Sequence, residues 1–397
     1  MARVLCVWEL GGNLGHLSRL LVLAERLRMH HHEVIFAVRD VNASAPLLRE
    51  RGFRFVAAPD TLRRRQPHVR TPRNYSEILY GAGFCGSKHL LAAVSAWRSL
   101  LARLQPRALL LDYAVSALLA ARGTGIPRLL LGSGFSVPPR QQPFPDFRPW
   151  EPTPAAQLKA ADQRVLDVVN DVYRELGLSP LERLYQLFEA EENFLCTFPE
   201  LDHYREREAG ARYCGPLSLR NGIASPTWPS ARGPRIFVYL RPSLTNLGAV
   251  LRRLANSGAS VLAYVPGLSE AVIRRLENAA VHFARSPVDL VEARQSARLA
   301  VTYAGPGATT SLLLGGVPVL MLPQHLEQYL FARRVAELGA GVIVERVEPS
   351  HDYSTLALRM ATDESLLRAA RRFAQEHRDF DPVAACCEIV DCVEAYL

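Results

Sequence analysis

The chain has 397 residues, 49% hydrophobic and 22% charged, with 47 Lys and Arg against 39 Asp and Glu for a formal charge of +8. Such a length exceeds one ordinary core and fits two domains of about 200 residues each, and the longest apolar runs, such as Ala108 to Leu111 and Val317 to Leu322, are too short to span a membrane. The basic surplus suits an anionic ligand such as a diphosphate, or a weak membrane-surface contact; no interleaved aromatic and basic module points to nucleic acid.

Met1-Ala2-Arg3 runs directly into Val4-Leu5-Cys6-Val7, too short for a signal peptide, so a first strand and a cytoplasmic location are expected. Gly11 to His16 reads as a turn. From His16 to Met29, residues Leu17, Leu20, Leu21, Ala24 and Leu27 fall at helical spacing. The histidines His30-His31-His32 that follow cannot share a helix face and read as a solvated loop, not a metal site. Val34 to Val38, Phe53 to Val56, Leu109 to Asp112 and Arg128 to Leu131 read as strands, the last two separated by a helical pattern over Ala114 to Arg122. Arg63-Arg64-Arg65 through Arg73 reads as a solvated basic loop, and Trp97, within Leu90 to Leu104, as helix-core material. Prolines crowd residues 137–160, a loop suited to shaping an acceptor pocket. A helical pattern resumes from Ala155 to Ala190.

Gly215-Pro216 through Pro234 reads as a linker. Beyond it Ile236 to Leu240, Ser260 to Val265, Val281 to Ala284, Leu299 to Thr302 and Val317 to Leu322 read as strands. Ser243 to Asn256, Thr309 to Leu314 and Tyr329 to Leu338 read as helices, and Pro382 to Leu397 as a terminal amphipathic helix. Strands alternating with helices in both halves predict an α/β chain with two doubly wound, parallel sheets. The expected domains are 1–216, a linker 217–233, a second domain 234–380 and a terminal helix 381–397. The seven cysteines show no repeated CxxC spacing and are expected to be reduced and mostly buried.

Two segments of the second half carry chemistry. Gly305-Pro306-Gly307-Ala308-Thr309-Thr310 leaves a strand and opens a helix, where glycine allows close approach and free amides favour a phosphate; a tight structural turn explains the same residues. Pro323-Gln324-His325-Leu326-Glu327-Gln328 sets an acid beside an amide at the next strand end, a pair able to bind the hydroxyls of a sugar or ribose, or to cap a helix.

These segments, with Gly315-Gly316-Val317-Pro318-Val319, Ala332-Arg333-Arg334-Val335 and Leu338-Gly339-Ala340-Gly341, resemble the donor-binding signature of GT-B nucleotide-sugar glycosyltransferases, in particular the bacterial natural-product and UDP-glucosyltransferase-like group. The first half resembles the same family through Gly11-Gly12-Asn13-Leu14-Gly15-His16, Leu111-Asp112-Tyr113, Gly132-Ser133-Gly134-Phe135 and Cys214-Gly215-Pro216-Leu217. The resemblance implies two Rossmann-like domains facing across a cleft, the terminal helix crossing back to the first. It implies an inverting, metal-independent transfer from a UDP- or TDP-sugar co-substrate to a small acceptor by a monomer or homodimer, without a cofactor. His16 would be the base and Asp112 its orienting acid; a packed helix-start histidine and an N-cap aspartate are the structural alternatives. Donor candidates are Gly305, Gly307, Ala308, Thr309, Thr310, Glu327, Gln328, Arg241, Ser243 and Arg285. Acceptor-side candidates are Gly12, Asn13, Ser133 and Phe135.

The chain also departs from the family pattern. Tyr303 stands where a phosphate-binding histidine is common, Pro306 removes a backbone donor, Arg241-Pro242-Ser243 replaces a short glycine-serine loop, and Phe331 takes the place of an asparagine. Tyr303 and Pro306 keep open a catalytically silent GT-B partner protein; a nucleotide-sugar epimerase is the other alternative.

Overall fold

The computed structural model describes residues 1–12, 15–59, 69–217 and 224–397. Asn13 and Arg63-Arg64-Arg65 lie outside the described residues. The chain divides into two units: Met1–Phe198 with Tyr204–Leu219 and Asp381–Leu397, and Pro199–His203 with Arg220–Phe380.

The first unit runs β1 (Arg3–Trp8), α1 (Gly15–Met29), β2 (Glu33–Val38), α2 (Val41–Glu50), β3 (Arg54–Ala57), α3 (Tyr75–Gly81), α4 (Ser87–Leu104), β4 (Ala108–Asp112), α5 (Val115–Ala121), β5 (Arg128–Gly132), α6 (Ala155–Glu175), β6 (Glu192–Leu195) and β7 (Arg212–Tyr213). Its seven strands pair in the order β3-β2-β1-β4-β5-β6-β7, and every pairing is parallel. A parallel sheet is covered on both faces, so its inner strands need unbroken apolar runs. Val4 to Trp8 and Ala108 to Leu111 supply them and are buried throughout. Leu17, Leu20, Leu21, Ala24 and Leu27 of α1 pack on that sheet, Trp97 is buried in α4, and the pattern over 155–190 breaks after Glu175.

The second unit runs β8 (Arg235–Tyr239), α7 (Leu247–Ala255), β9 (Ser260–Tyr264), α8 (Glu270–Leu276), β10 (Val281–Phe283), α9 (Leu290–Ser296), β11 (Leu299–Thr302), α10 (Pro306–Leu313), β12 (Val319–Met321), α11 (Leu326–Glu337), β13 (Gly341–Ile343), α12 (Tyr353–Thr362) and α13 (Glu364–Glu376). Its sheet order is β10-β9-β8-β11-β12-β13, again parallel throughout. Helix starts differ from the periodicity. Helix α10 begins three residues before Thr309 because Pro306, with its φ preset, suits a first turn. Helix α7 begins only at Leu247, after Asn246 in the left-handed region, which leaves Ser243 in a loop. The turn Pro199–Leu201 belongs to the second unit because it packs on α11.

The terminal helix α14 (Pro382–Glu394) joins the first unit, packing on α1 through Cys386, Ile389, Val390 and Val393. Its position corrects the reading of the histidine run. His30 Nδ1 and His32 Nε2 lie 2.9 and 2.8 Å from the same Glu394 oxygen, so the two rings fasten α14 instead of standing in solvent. All seven cysteines are free. Cys6, Cys196 and Cys386 are buried and the other four half-buried. Among the described residues no helix is long and apolar enough to cross a membrane.

Candidate functional site

Where the winding of a parallel sheet reverses, the two adjacent strands send their chains to opposite faces and leave a crevice at their carboxyl ends, the usual ligand position in such sheets. The first unit reverses between β1 and β4, the second between β8 and β11.

In the first unit the register pairs Trp8, the end of β1, with Asp112, the end of β4. The loop after Trp8 and the side chain of Asp112 therefore share one crevice. Helix α1 starts at Gly15, so its first turn presents His16, and His16 Nδ1 stands 2.7 Å from Asp112 Oδ1. Arg19, one turn further along the same face, donates from Nε to Asp112 Oδ2 at 2.9 Å and from Nη2 to Oδ1 at 3.1 Å. Asp112 is fully buried and His16 nearly so. Burial pushes the carboxyl up, but Arg19 and His16 outweigh it and hold it below the ordinary aspartate range. Arg19 Nη2 also lies 3.1 Å from Nδ1, but the shorter contact is to Asp112 and a carboxylate accepts, which assigns the shared hydrogen to Nδ1 and the lone pair to Nε2. The imidazole lies over the Trp8 ring, centroids 5.9 Å apart, with Tyr113 at 5.8 Å.

Nε2 faces Gly11, whose φ of +80° lies in the left-handed region. A Cβ there would stand 2.5 Å from Nε2, so only glycine leaves that nitrogen its space. Arg39 holds the turn by donating to the Gly11 carbonyl at 2.6 Å. Tyr113 is itself left-handed, φ 52°, and accepts from the Leu10 amide at 2.9 Å. Asp112 does not cap α5. That carboxylate is Glu9, buried, which accepts from the Ser116 amide at 2.9 Å, from the Ser116 hydroxyl, and from Trp97 Nε1 at 3.1 Å. Burial pushes the Glu9 carboxyl up against these bonds.

Gly12 follows β1 with open space around its Cα, and Ser133, buried, follows β5. Phe135 is packed among aromatic rings, stacked on Phe147 at 5.5 Å and edge-on to Tyr75 and Tyr113 at 6.0 and 6.4 Å.

In the second unit Arg241 and Ser243 follow β8 while Gly305 to Thr310 follow β11, so they flank the reversal. The Arg241 guanidinium lies 5.0 Å from the Tyr303 ring and 5.8 Å from the Tyr239 ring, and its Nη2 donates to the Tyr303 hydroxyl at 3.2 Å. Its Nε is buried without a partner, and among the described residues no carboxylate pairs with it. Tyr303 folds back over Gly305, where a Cβ would meet its ring at 2.7 Å. Gly307 is exposed and Ala308 half-buried at the α10 start, whereas Thr309 and Thr310 are buried, the Thr309 hydroxyl 3.1 Å from that of Thr302. Glu327 sits in the first turn of α11. Gln328 is buried and accepts from the Gln324 amide at 2.8 Å, and Gln324 Nε2 donates to Ser243 at 3.2 Å, joining the loops after β12 and β8. Arg285 stands apart. It follows β10, at the far edge of the sheet beyond β9, and is engaged by Glu277 at 2.8 Å and by Glu270. The chain's one Asp-x-Asp sequence, Asp379-Phe380-Asp381, serves α14, with Asp381 accepting from the Val383 amide at 2.8 Å.

Reasoning from the sequence missed Arg19, Glu9 and Tyr239, and held Gln324 only as part of its segment. Only Arg19 left a signal there, its three-residue spacing from His16.

No family model matches the chain. It is similar to the PGL/p-HBAD biosynthesis glycosyltransferase of Mycobacterium tuberculosis, 26% identical over 401 aligned residues covering 94% of this chain and 88% of that one. It is also similar to the PGL/p-HBAD biosynthesis rhamnosyltransferase of Mycobacterium bovis, 25% identical over 94% of this chain and 83% of the relative. Among solved structures it is similar to the calicheamicin glycosyltransferase CalG4, with a TM-score of 0.72, 20% identity and coverage of 100% of this chain and 98% of that one. The glycosyltransferase SsfS6 of Streptomyces sp. SF2575, complexed with thymidine diphosphate, superposes at a TM-score of 0.69 with 21% identity and full coverage of both chains. The fold is GT-B, and the resemblance and enzyme class read from the sequence, a glycosyltransferase, are borne out.

Proposed function

We propose that the chain is an inverting, metal-independent glycosyltransferase that moves a sugar from a nucleoside-diphosphate sugar to a hydroxyl of a small acceptor in the cytoplasm. The observation that carries this reading is the buried His16–Asp112 contact of 2.7 Å beside a glycine that keeps Nε2 clear. In the proposed reaction Nε2 takes the acceptor's hydroxyl proton as the oxygen attacks the anomeric carbon. The bond from that carbon to the diphosphate oxygen breaks, and the diphosphate leaves with the electron pair on the face opposite the attack, which inverts the centre. Asp112, negative throughout, fixes Nδ1–H and stabilises the imidazolium that forms.

On the donor side the proposal gives the diphosphate to Arg241 and to the first-turn amides at Gly307 and Ala308, with Gly305 making room for the Tyr303 ring beside Arg241. Glu327 is assigned the sugar or ribose hydroxyls; Gln328 and Ser243 hold the loops around it. Thr309 and Thr310, being buried, are assigned to shaping the turn. Arg285 keeps only a peripheral place, since two glutamates already engage it. Gly12, Ser133 and Phe135 are assigned to the acceptor side, Asn13 with them from its sequence position. Thymidine diphosphate bound to a structural neighbour supports a TDP-sugar, with a UDP-sugar as the other candidate.

The test is calorimetric titration with thymidine diphosphate and uridine diphosphate, followed by release of free sugar from TDP-glucose and TDP-rhamnose with water as the acceptor. Binding of one diphosphate, donor turnover, and a loss of about 100-fold or more in His16→Ala are expected. Diphosphate binding without any turnover would leave the chain a silent GT-B partner, and a loss below about 10-fold would remove His16 as the base.

A further inference from the structure

We infer that Arg19 is a positioning residue for the base, holding the Asp112 carboxylate in the orientation and the ionised state that the His16 imidazole requires. The inference rests on the reading of His16 and Asp112 given above.

The geometry comes first. Both Asp112 oxygens receive Arg19 nitrogens, at 2.9 and 3.1 Å, and Oδ1 also faces His16 Nδ1 at 2.7 Å. Rotating the carboxylate would break all of these at once, and no water reaches Asp112 to replace them. A carboxylate held only by the imidazole could pivot and offer either oxygen. Held by the guanidinium fork, it offers one. Base and cation come from one helix, three residues apart, so the same placement of α1 that aims His16 also aims Arg19.

The charge argument is independent of the angles. A fully buried carboxylate facing a neutral ring has nothing to oppose the cost of its burial, and takes up a proton at a raised pH. A protonated Asp112 can donate to Nδ1, which then carries the lone pair and leaves the hydrogen on Nε2, where it blocks proton uptake. Arg19 supplies the opposing charge at contact distance. Among the described residues the other groups around the pair do not. Trp8 and Tyr113 cover the imidazole with rings, Arg39 is turned to the Gly11 carbonyl, and Glu9 is taken by Trp97 and Ser116. Cys196, near enough to interact with both Arg19 and Asp112, is kept neutral because burial pushes its thiol up.

The experiment compares the full-length parent with Arg19→Met, Arg19→Gln and Arg19→Lys. The first readout is Tm against pH and needs no turnover. In the parent, Asp112 titrates lower folded than unfolded, so its contribution is present above the unfolded aspartate value of about 4 and lost as pH falls below it. In Arg19→Met the folded value should lie above the unfolded one, a penalty felt fully near neutrality and relieved as pH falls towards about 4. The Tm gap between parent and variant should therefore be widest near neutral pH and shrink on acidification. A gap that stays constant from pH 8 to 4 overturns the inference, because Arg19 would then not be what keeps Asp112 ionised.

The second readout is donor turnover against pH. Arg19→Met and Arg19→Gln should move the acid limb up by about one unit or more. Arg19→Lys, which keeps the charge and loses the fork, should keep the parent's limb with kcat lowered about 10-fold and KM unchanged. Uniform loss at every pH in all three variants overturns the inference. Arg19→Gln can still donate to Asp112, so it serves if Arg19→Met fails to fold, and the same shifts are expected of it. A parent that turns over no donor would count against the function proposed above and leave the Tm comparison standing.

Discussion

The two units wind their sheets in the same way and hold charge at the reversal in opposite ways. Between β1 and β4 a cation, a carboxylate and an imidazole are closed on one another, and the carboxylate is fully buried. Between β8 and β11 the guanidinium of Arg241 rests on two tyrosine rings and one hydroxyl, with a buried Nε left over and no carboxylate paired with it among the described residues. A saturated cluster can take a proton and return it with little change in surrounding charge. An uncompensated cation has its electrostatic work still to do and suits an arriving anion. Topology therefore decides where the crevice lies, and a few side chains decide whether its charge is closed on itself or left open to an anion.

The contrast can be broken or sharpened by substitution on either side. The largest effect is expected of Asp112→Asn, whose carboxamide can donate to Nδ1 and leave the hydrogen on Nε2. Turnover should fall about 1,000- to 10,000-fold with diphosphate binding unchanged, and a drop in calorimetric affinity alongside it would show that the two crevices are not chemically separate. Next comes Arg241→Met. Loss of a charge-assisted contact should weaken thymidine diphosphate by about 10- to 100-fold at low salt while thymidine itself binds as before. Equal weakening of both ligands would assign Arg241 to the nucleoside instead. Gly11→Ala adds a methyl 2.5 Å from Nε2 at a left-handed φ, and kcat should fall about 10-fold with little change in diphosphate affinity. The smallest effect belongs to Tyr303→Phe, which keeps the ring under the guanidinium and removes one neutral hydrogen bond, so affinity for the diphosphate should fall about threefold to tenfold. No change there would leave the aromatic contact alone to hold Arg241.

Much of this was legible in the chain. Val4 to Trp8, Leu109 to Leu111 and Ile236 to Leu240 are apolar without alternation, the mark of strands covered on both faces. Gly11 and Gly305 stand where the backbone turns sharply or a side chain comes close, and His16 and Asp112 stand out by residue type and place. Short strands were less visible: β6, β7 and β13 have four, two and three residues, too few to show a period. Helix α10 starts earlier than the periodicity from Thr309 shows, because Pro306 is tolerated in a first turn, where its missing donor costs nothing. His30 and His32 looked like a solvated run because their partner, Glu394, lies 364 and 362 residues away.

Local periodicity and residue type, then, were enough to determine two doubly wound α/β units and to single out His16 and Asp112 as candidates, since burial pattern and turn chemistry are properties of neighbouring residues. Tertiary structure alone decided that β4 lies beside β1, which sets Asp112 against a histidine 96 positions earlier, that Arg19 completes the pair, and that Glu9 instead of Asp112 caps α5. The physical reason is that a buried charge is specified by what surrounds it in space, and strand order, which brings those surroundings together, leaves no period in the chain.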